Sequence, residues 1–138
     1  MALVIALVLI GALALTMMVL AYLQRIPSPE DVAVSYETAW DRLDAEALWV
    51  LSGRELRDGL DRRAFIAATR AAHDGHHGRS HVARIVIEDS ASNAEDAIVR
   101  TRVEPVDSAP IRNEIRLRYR NSRWEVVQYS LAKSASST

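Results

Sequence analysis

The stretch IRNEIRLRYRNSRWEVVQYSL, residues 111–131, decides the fold that the sequence predicts. In its first half, apolar side chains recur at alternate positions, which is the period of a strand that buries one face. Asn121-Ser122 interrupts this alternation and predicts a tight reversal of the chain. The stretch therefore predicts two antiparallel strands, at 111–120 and 124–131.

Two more strands are predicted upstream of this hairpin. After Gly78 the apolar residues recur with a period of two over residues 82–88 and again over 97–104. A polar loop separates these two strands, and a segment from Pro105 to Pro110 leads from the second strand to residue 111. Connections this short suit antiparallel neighbours, so we expect a four-stranded meander.

A helix is predicted to begin at Ser28-Pro29-Glu30-Asp31 and to end near residue 43. Ser28 is a capping residue, Pro29 suits the first turn, and the two acids face the positive end of the helix dipole. Apolar residues three and four apart predict one buried stripe, made of Val32, Tyr36, Ala39, Trp40 and Leu43. The side chains expected to face water are Glu37, Asp41 and Arg42.

Two shorter helices are predicted before the strands begin. One covers Ala45–Leu51 and stops before Gly53, and the other follows a capping Asp61, buries Phe65 and ends at Gly75. About three helices followed by about four antiparallel strands predict an α+β fold, with the helices packed on one face of a curved sheet.

The N-terminus carries an apolar run, Ala2–Leu23, with no charged residue. About 20 such residues are enough to span the hydrocarbon of a bilayer, so we expect a transmembrane anchor over residues 1–25. A cleaved signal peptide fits less well, because no basic residue precedes the run and its one Ala-x-Ala site, Ala12-Leu13-Ala14, lies in the middle. The small residues expected to pack against other transmembrane helices are Ala6, Gly11, Ala12 and Ala14.

The remaining chain predicts one domain, 26–132, and a polar, flexible tail, 133–138. Residues 24–28 span at most about 18 Å, so the domain is expected to lie at the membrane surface, beside the lipid bilayer. Arg25 is the one basic residue next to the apolar run, and it favours a cytoplasmic position for the domain. An exported domain stays the alternative.

Several short segments are similar to the nuclear transport factor 2-like, or SnoaL-like, superfamily. They are Tyr36-Glu37-Thr38-Ala39-Trp40, Leu43-Asp44, Ala47-Leu48, Phe65-Ile66 and Trp124-Glu125-Val126-Val127. The resemblance implies a cone-shaped domain with a cavity between its long helix and a bent sheet, which in some members holds a ligand or a catalytic Asp/His pair. The expected lining is mainly apolar and includes Tyr36, Trp40, Leu48, Phe65, Ile115, Leu117 and Trp124. A filled core and a small hydrophobic ligand both stay open.

All four histidines of the chain, His73, His76, His77 and His81, lie within nine residues. A metal site would need their imidazoles to converge on one ion at about 2.0 to 2.1 Å. Neighbouring histidines point apart in an extended segment, and two glycines interrupt any helix here. We therefore expect a solvated loop and no bound metal, with a zinc, copper or nickel site as the alternative.

The strand at 111–120 has one strongly basic face. Arginines alternate with its apolar residues, and a hairpin with the preceding strand adds two more to the same face. The full set is Arg100, Arg102, Arg112, Arg116, Arg118 and Arg120, with Glu104 and Glu114 beside them. A solvated face with cross-strand charge pairs is one interpretation. The other is a docking surface for an acidic partner or anionic headgroups, since guanidinium pairs well with carboxylate and phosphate.

The sequence lacks the motifs of phosphate-binding loops, dinucleotide sites, metalloproteases and serine hydrolases. We expect no enzymatic activity, no cofactor and no nucleic acid partner.

Sixteen arginines against one lysine and abundant alanine are typical of a GC-rich bacterium. The predicted function is a non-catalytic, single-pass accessory or assembly subunit that binds integral membrane protein subunits of a larger bacterial complex, for instance a respiratory cytochrome oxidase. The alternative is a membrane-anchored extracytoplasmic binding domain for a small hydrophobic ligand.

Overall fold

The computed structural model describes residues 1–73 and 81–132 and confirms an α+β fold. The helices are α1 (Ala2–Leu23), α2 (Pro29–Arg42), α3 (Ala45–Leu51) and α4 (Arg62–Ala72), with a 3-10 turn at Arg54–Leu56. The strands are β1 (Val82–Ser92), β2 (Asp96–Pro105), β3 (Ile111–Arg120) and β4 (Arg123–Leu131). The predicted tail and the segment with Gly75, His76 and His77 lie outside the described residues.

Helix α2 begins with a reciprocal cap. The Asp31 backbone N–H donates to Ser28 Oγ at 3.1 Å, and the Ser28 N–H donates to Asp31 Oδ2 at 3.2 Å. This arrangement satisfies two N–H groups that have no partner within the helix. The helix ends at Leu43, which adopts a left-handed conformation with φ 51°. The start predicted from Ser28 and Pro29 is confirmed.

The sheet is an antiparallel meander in the order β1-β2-β3-β4. The tight reversal predicted between β3 and β4 is confirmed, since Asn121 and Ser122 have φ of 53° and 61°. Two positive φ values in a row match the twist of a two-residue hairpin turn. The outer edge of β4 is partly covered, because the Gly53 N–H donates to the Val126 carbonyl at 2.7 Å.

The core lies between α2 and the concave face of the sheet. Its fully buried side chains come from α2, α3 and the three strands β2, β3 and β4. They include Ala33, Tyr36, Leu48, Val99, Ile115, Leu117 and Val126. Removing this apolar surface from water stabilises the fold by roughly 25 cal/mol per Å².

Helix α1 is long and apolar enough to cross a membrane, a property that it shares with signal sequences. None of its membrane-length window is buried against the domain. Its large side chains are exposed from end to end, from Leu3 at 76 % to Leu23 at 72 %. This apolar surface therefore needs a cover that the described domain does not supply.

The expectation that Glu37 faces water is wrong: Glu37 is buried, with 5 % of its surface exposed. Helix α2 contacts β1, β2, β4 and α3, so the sheet wraps around more of the helix than one narrow stripe. Glu37 follows Tyr36 by about 100° around the helix, and that direction also points at the sheet.

Candidate functional site

The buried carboxylate of Glu37 ties α2 to three strands. The Thr101 hydroxyl of β2 donates to Oε1 at 2.6 Å, and the Asn113 amide of β3 donates to the same oxygen at 2.9 Å. The Tyr129 hydroxyl of β4 donates to Oε2 at 2.8 Å. Three donors on two oxygens satisfy most of the hydrogen-bonding capacity of a carboxylate, which is what burial of this group requires.

The strand register brings these donors together. Thr101 and Asn113 are direct partners in the β2–β3 ladder, and both side chains are buried. The Asn113 amide also donates to the Tyr129 hydroxyl oxygen at 2.9 Å. Directly opposed residues share one face of a sheet, so a single helix residue meets donors from neighbouring strands. We call Glu37, Thr101, Asn113 and Tyr129 the Glu37 cluster.

The donors of the Glu37 cluster are uncharged. Burial, together with the negative charge of Glu37, raises the pKa of the Tyr129 hydroxyl far above its ordinary value near 10. Burial likewise raises the pKa of Tyr36. Both phenols therefore keep their protons at physiological pH. Among the described residues, no ion pair between Glu37 and an arginine, lysine or histidine is present.

A cavity of about 540 Å³, open to solvent, lies beside the Glu37 cluster. It is placed between the C-terminal half of α2 and the sheet end that holds the start of β1 and the end of β4. Its lining residues are Glu37, Trp40, Asp41, Val82, Val103, Ile111, Asn113, Tyr129, Ser130 and Leu131. The wall is thus mainly aliphatic and aromatic, with a carboxylate at its base.

The four aromatic residues expected to line a cavity take different places. Trp40 lies in the cavity wall, with its ring stacked 6.4 Å from that of Tyr129. Tyr36 contacts the Tyr129 ring edge-on at 5.3 Å and is buried behind it. Phe65 packs on Trp49 at 5.4 Å, and Trp124 packs on Tyr119 at 5.4 Å.

Asp41 lies at the mouth of the cavity and fixes the start of β1. Its Oδ1 accepts the backbone N–H groups of His81 at 2.9 Å and Val82 at 3.2 Å. Asp41 and Glu37 are one helical turn apart, so the same face of α2 presents two carboxylates to the cavity. The cavity wall therefore includes the carboxyl-bearing side chains of both residues.

The predicted basic face exists, but its arginines are paired with acids. Arg118 contacts Asp96 at 3.1 Å, and Arg112 contacts Glu88 at 3.1 Å. Each of the others is also within 3.6 Å of a carboxylate, as follows: Arg100 with Asp89 and Glu114, Arg102 with Glu88 and Glu104, Arg116 with Glu114, and Arg120 with Glu55 and Glu125. Acids from all four strands and the 3-10 turn thus neutralise much of the charge, and of these acids the sequence predicted only Glu104 and Glu114 on this face.

Of the four histidines, two are described. His73 Nδ1 lies 3.0 Å from the Thr69 carbonyl, and its ring lies 5.3 Å from that of Trp40. The His81 backbone binds Asp41. The described residues form no group of three side chains able to hold a metal ion.

In α1, the small residues Ala6, Gly11, Ala12 and Ala14 are exposed, and a Cβ at Gly11 would meet no atom within 4 Å.

The sequence alone did not lead us to predict the Glu37 cluster, although the strand pattern contains one signal for it. Thr101 lies between the inward residues Val99 and Val103, and Asn113 lies between Ile111 and Ile115. Two polar residues at inward positions of paired strands need a buried partner. The nearest helix in the predicted fold carries Glu37 next to its apolar stripe.

No protein-family model matches the chain, and no curated protein matches its sequence. A SEC-C motif containing protein from Rhodopseudomonas palustris is similar in structure, with a TM-score of 0.55 and 17 % identity over 77 % of this chain and 80 % of that chain. A protein from Campylobacter jejuni, named as a candidate NTF2-like transpeptidase, gives a TM-score of 0.52 and 18 % identity over 72 % of this chain and 97 % of that chain. Likeness at this identity concerns the fold alone, and the fold is NTF2-like.

Proposed function

We propose that this chain is a single-pass, non-catalytic accessory subunit of a larger membrane complex, with its NTF2-like domain working at the membrane surface. The observation that carries the proposal is the exposure of α1, whose central Leu9 and Leu15 are each 65 % exposed. Lipid or neighbouring transmembrane helices would cover this surface, whereas water would leave it without compensation. Retention of α1 as an anchor is part of the proposal.

The composition of α1 supports packing as its role in the membrane. Away from its ends, α1 has one hydroxyl, on Thr16, which donates to the Ala12 carbonyl at 2.8 Å and is satisfied within the helix, while the Tyr22 phenol lies at the C-terminal end. A helix without a free polar side chain in its middle supplies no ion or proton path. Small residues such as Gly11 allow another helix to approach closely. Partners in the bilayer would therefore be integral membrane subunits, and a respiratory complex is the first kind to examine.

The surroundings of Glu37 support a non-catalytic role. The Thr101 hydroxyl that binds Glu37 is fully buried, so a substrate has no access to it, and the Tyr129 hydroxyl that also binds Glu37 keeps its proton because burial raises its pKa. Catalytic nucleophiles need to reach a reacting atom at about 3 Å. The chain also has no cysteine to serve as a thiol nucleophile. The transpeptidase name of the Campylobacter jejuni structure is therefore not carried over.

The arginine-rich face of β2 and β3 is a second contact surface in this proposal. An acidic partner would compete with Glu114 and Asp96 for Arg100 and Arg118, so each contact would contribute little in itself. Such a face favours orientation and specificity over affinity. The same argument applies to anionic lipid headgroups.

A second candidate function is ligand binding in an extracytoplasmic domain. The cavity of about 540 Å³ beside Glu37 is the observation that favours it. Volumes of about 300 to 1,000 Å³ with apolar walls and a few polar groups are typical of small-molecule sites.

Purification from native membranes in a mild detergent tests the accessory role. We expect the tagged chain to elute in a particle far larger than the monomer, together with integral membrane proteins. The matched variant replaces Ala6, Gly11, Ala12 and Ala14 with leucine, which keeps the anchor but removes the close-packing surface. This variant should stay in the membrane and lose its partners. A monodisperse monomer for the unaltered chain would contradict the proposal.

The side of the membrane is tested separately. We propose the cytoplasmic side, from the single Arg25 beside the anchor. Because the chain has no cysteine, Asp107→Cys at an exposed loop position introduces a single label site. An impermeant maleimide added to intact cells should leave it unlabelled. Labelling of intact cells would place the domain outside and favour the second candidate.

A further inference from the structure

We propose that the cavity beside Glu37 binds an organic cation, with an ammonium group against the carboxylate and an apolar body along the walls. This inference rests on the ligand-binding function given above as the second candidate, and it names the chemical class of the ligand. It uses only the ligand-binding part of that candidate and not the placement of the domain outside the cell.

The hydrogen bonds of Glu37 leave room for one more donor. Oε1 accepts two bonds, from Thr101 and Asn113, while Oε2 accepts one, from Tyr129. A carboxylate has about four acceptor positions, so one position on Oε2 is free. Glu37 is 5 % exposed and is one of the residues that line the cavity, so we place the donor of the ligand at this position. The complementary group is an N–H or O–H donor.

The negative charge of Glu37 favours a positively charged hydrogen-bond donor over a neutral one. Thr101, Asn113 and Tyr129 are neutral, and the described residues place no cation in an ion pair with Glu37. Asp41 adds a second carboxylate to the lining. An anionic ligand would be repelled by Glu37, and a neutral donor would add no counter-charge to it. A protonated amine supplies both the hydrogen bond and the charge.

The walls suit the rest of such a molecule. The Trp40 and Tyr129 rings lie 6.4 Å apart at an interplanar angle of 22° and both line the cavity. Indole and phenol faces attract cations, and more strongly where water is excluded. The aliphatic lining, Val82, Val103, Ile111 and Leu131, faces an apolar body. The volume accommodates a molecule larger than a simple metabolite such as an amino acid, so part of the cavity would stay hydrated around a small probe.

The cavity lies at the end of α2 that is farther from the linker. Glu37 and Asp41 lie eight and twelve residues after Pro29, which is about 12 to 18 Å along the helix axis from the end attached to the linker. The β1–β2 turn lies at the linker end of α2 instead, since the Ser90 hydroxyl donates to Glu30 at 2.7 Å.

The test uses the full-length chain in nanodiscs of zwitterionic phosphatidylcholine, with empty nanodiscs as the blank. Calorimetric titration compares three probes of similar size: 2-phenylethylammonium, 2-phenylethanol and 3-phenylpropanoate. We expect the ammonium to bind at least about tenfold more tightly than the alcohol, and the carboxylate to bind more weakly than both. Equal affinity of the ammonium and the alcohol would overturn the inference while leaving ligand binding intact. Absence of binding by all three would overturn both.

Two variants locate the site. Glu37→Gln removes the charge and should weaken ammonium binding at least about tenfold, with little change for 2-phenylethanol. The matched control, Thr101→Val, removes one hydrogen bond to Glu37 but keeps the charge, so ammonium binding should change less than about threefold. Equal loss of affinity in both variants would point to a structural effect and overturn the assignment. If Glu37→Gln does not fold, the three-probe comparison on the unaltered chain still decides.

Discussion

Replacement of Glu37 by alanine tests how much the Glu37 cluster stabilises the fold. The change removes three hydrogen bonds, of 2.6, 2.8 and 2.9 Å, to a carboxylate. It also leaves the donors of Thr101, Asn113 and Tyr129 without their acceptor. A buried donor that loses its partner costs about 1 to 3 kcal/mol, and water from the adjoining cavity would satisfy part of this. We therefore expect the free energy of unfolding to fall by about 3 to 5 kcal/mol, a large share of the usual 5 to 15 kcal/mol.

Urea unfolding of the full-length chain in nanodiscs, followed by tryptophan fluorescence, measures this loss. All three tryptophans, Trp40, Trp49 and Trp124, lie in the domain, so the signal excludes α1. The matched control is Glu46→Ala, which breaks an exposed ion pair with Arg62 and should cost less than about 1 kcal/mol. A loss below about 1 kcal/mol for Glu37→Ala would refute the role given to this carboxylate.

Three further predictions concern the domain. Gly53→Ala should lower the free energy of unfolding by about 1 to 2 kcal/mol in the same assay, because its Cβ would lie 2.7 Å from the Arg120 guanidinium and 3.2 Å from Val127; an unchanged midpoint would contradict the close packing there. The raised pKa of Tyr129 means that, above about pH 10, the unfolded chain loses a proton that the folded chain keeps. The contribution of Tyr129 to stability should therefore be unchanged below about pH 10 and fall above it in alkaline urea titrations, and Tyr129→Phe should make that fall less steep by up to about 1.4 kcal/mol per pH unit. Arg118→Gln should cost less than about 1 kcal/mol, because its pair with Asp96 is exposed, and a larger loss would show that the basic face is structural.

The helices and strands follow from local rules that can be read directly from the sequence. The alternation from residue 111 fixed the bounds of β3, and the cap formed by Ser28 and Asp31 fixed the start of α2. These signals need no knowledge of distant residues, because side-chain period and capping are local properties. The overall α+β arrangement follows in turn from helices that precede short antiparallel connections.

The candidate site depends on contacts between distant parts of the chain. Glu37 is separated by 64 residues from Thr101 and by 92 residues from Tyr129, so its burial follows from how far the sheet curves around α2. A charged residue beside an apolar stripe is usually solvated, and that rule failed here because three donors compensate for the buried charge. The inward positions of Thr101 and Asn113 in their strands were the sign in the sequence that a buried polar partner such as Glu37 is needed.

The neutralisation of the basic face is a second non-local result. The alternation of residues in β2 and β3 predicts two glutamates, Glu104 and Glu114, among the arginines. The structure adds Glu88 and Asp89 from β1, where the register shifts between Ile87 and Asp89. Irregular positions of this kind change which side chains share a face, and alternation alone does not locate them.

The most direct test of the central claim is the length and location of the mature chain in its native cells. Intact-mass measurement on separated membrane and soluble fractions, after an alkaline wash, reports both. We predict a chain in the washed membranes that still contains α1 from Ala2 to Leu23. A shortened chain that begins after the apolar run and is recovered in the soluble or secreted fraction would contradict the account.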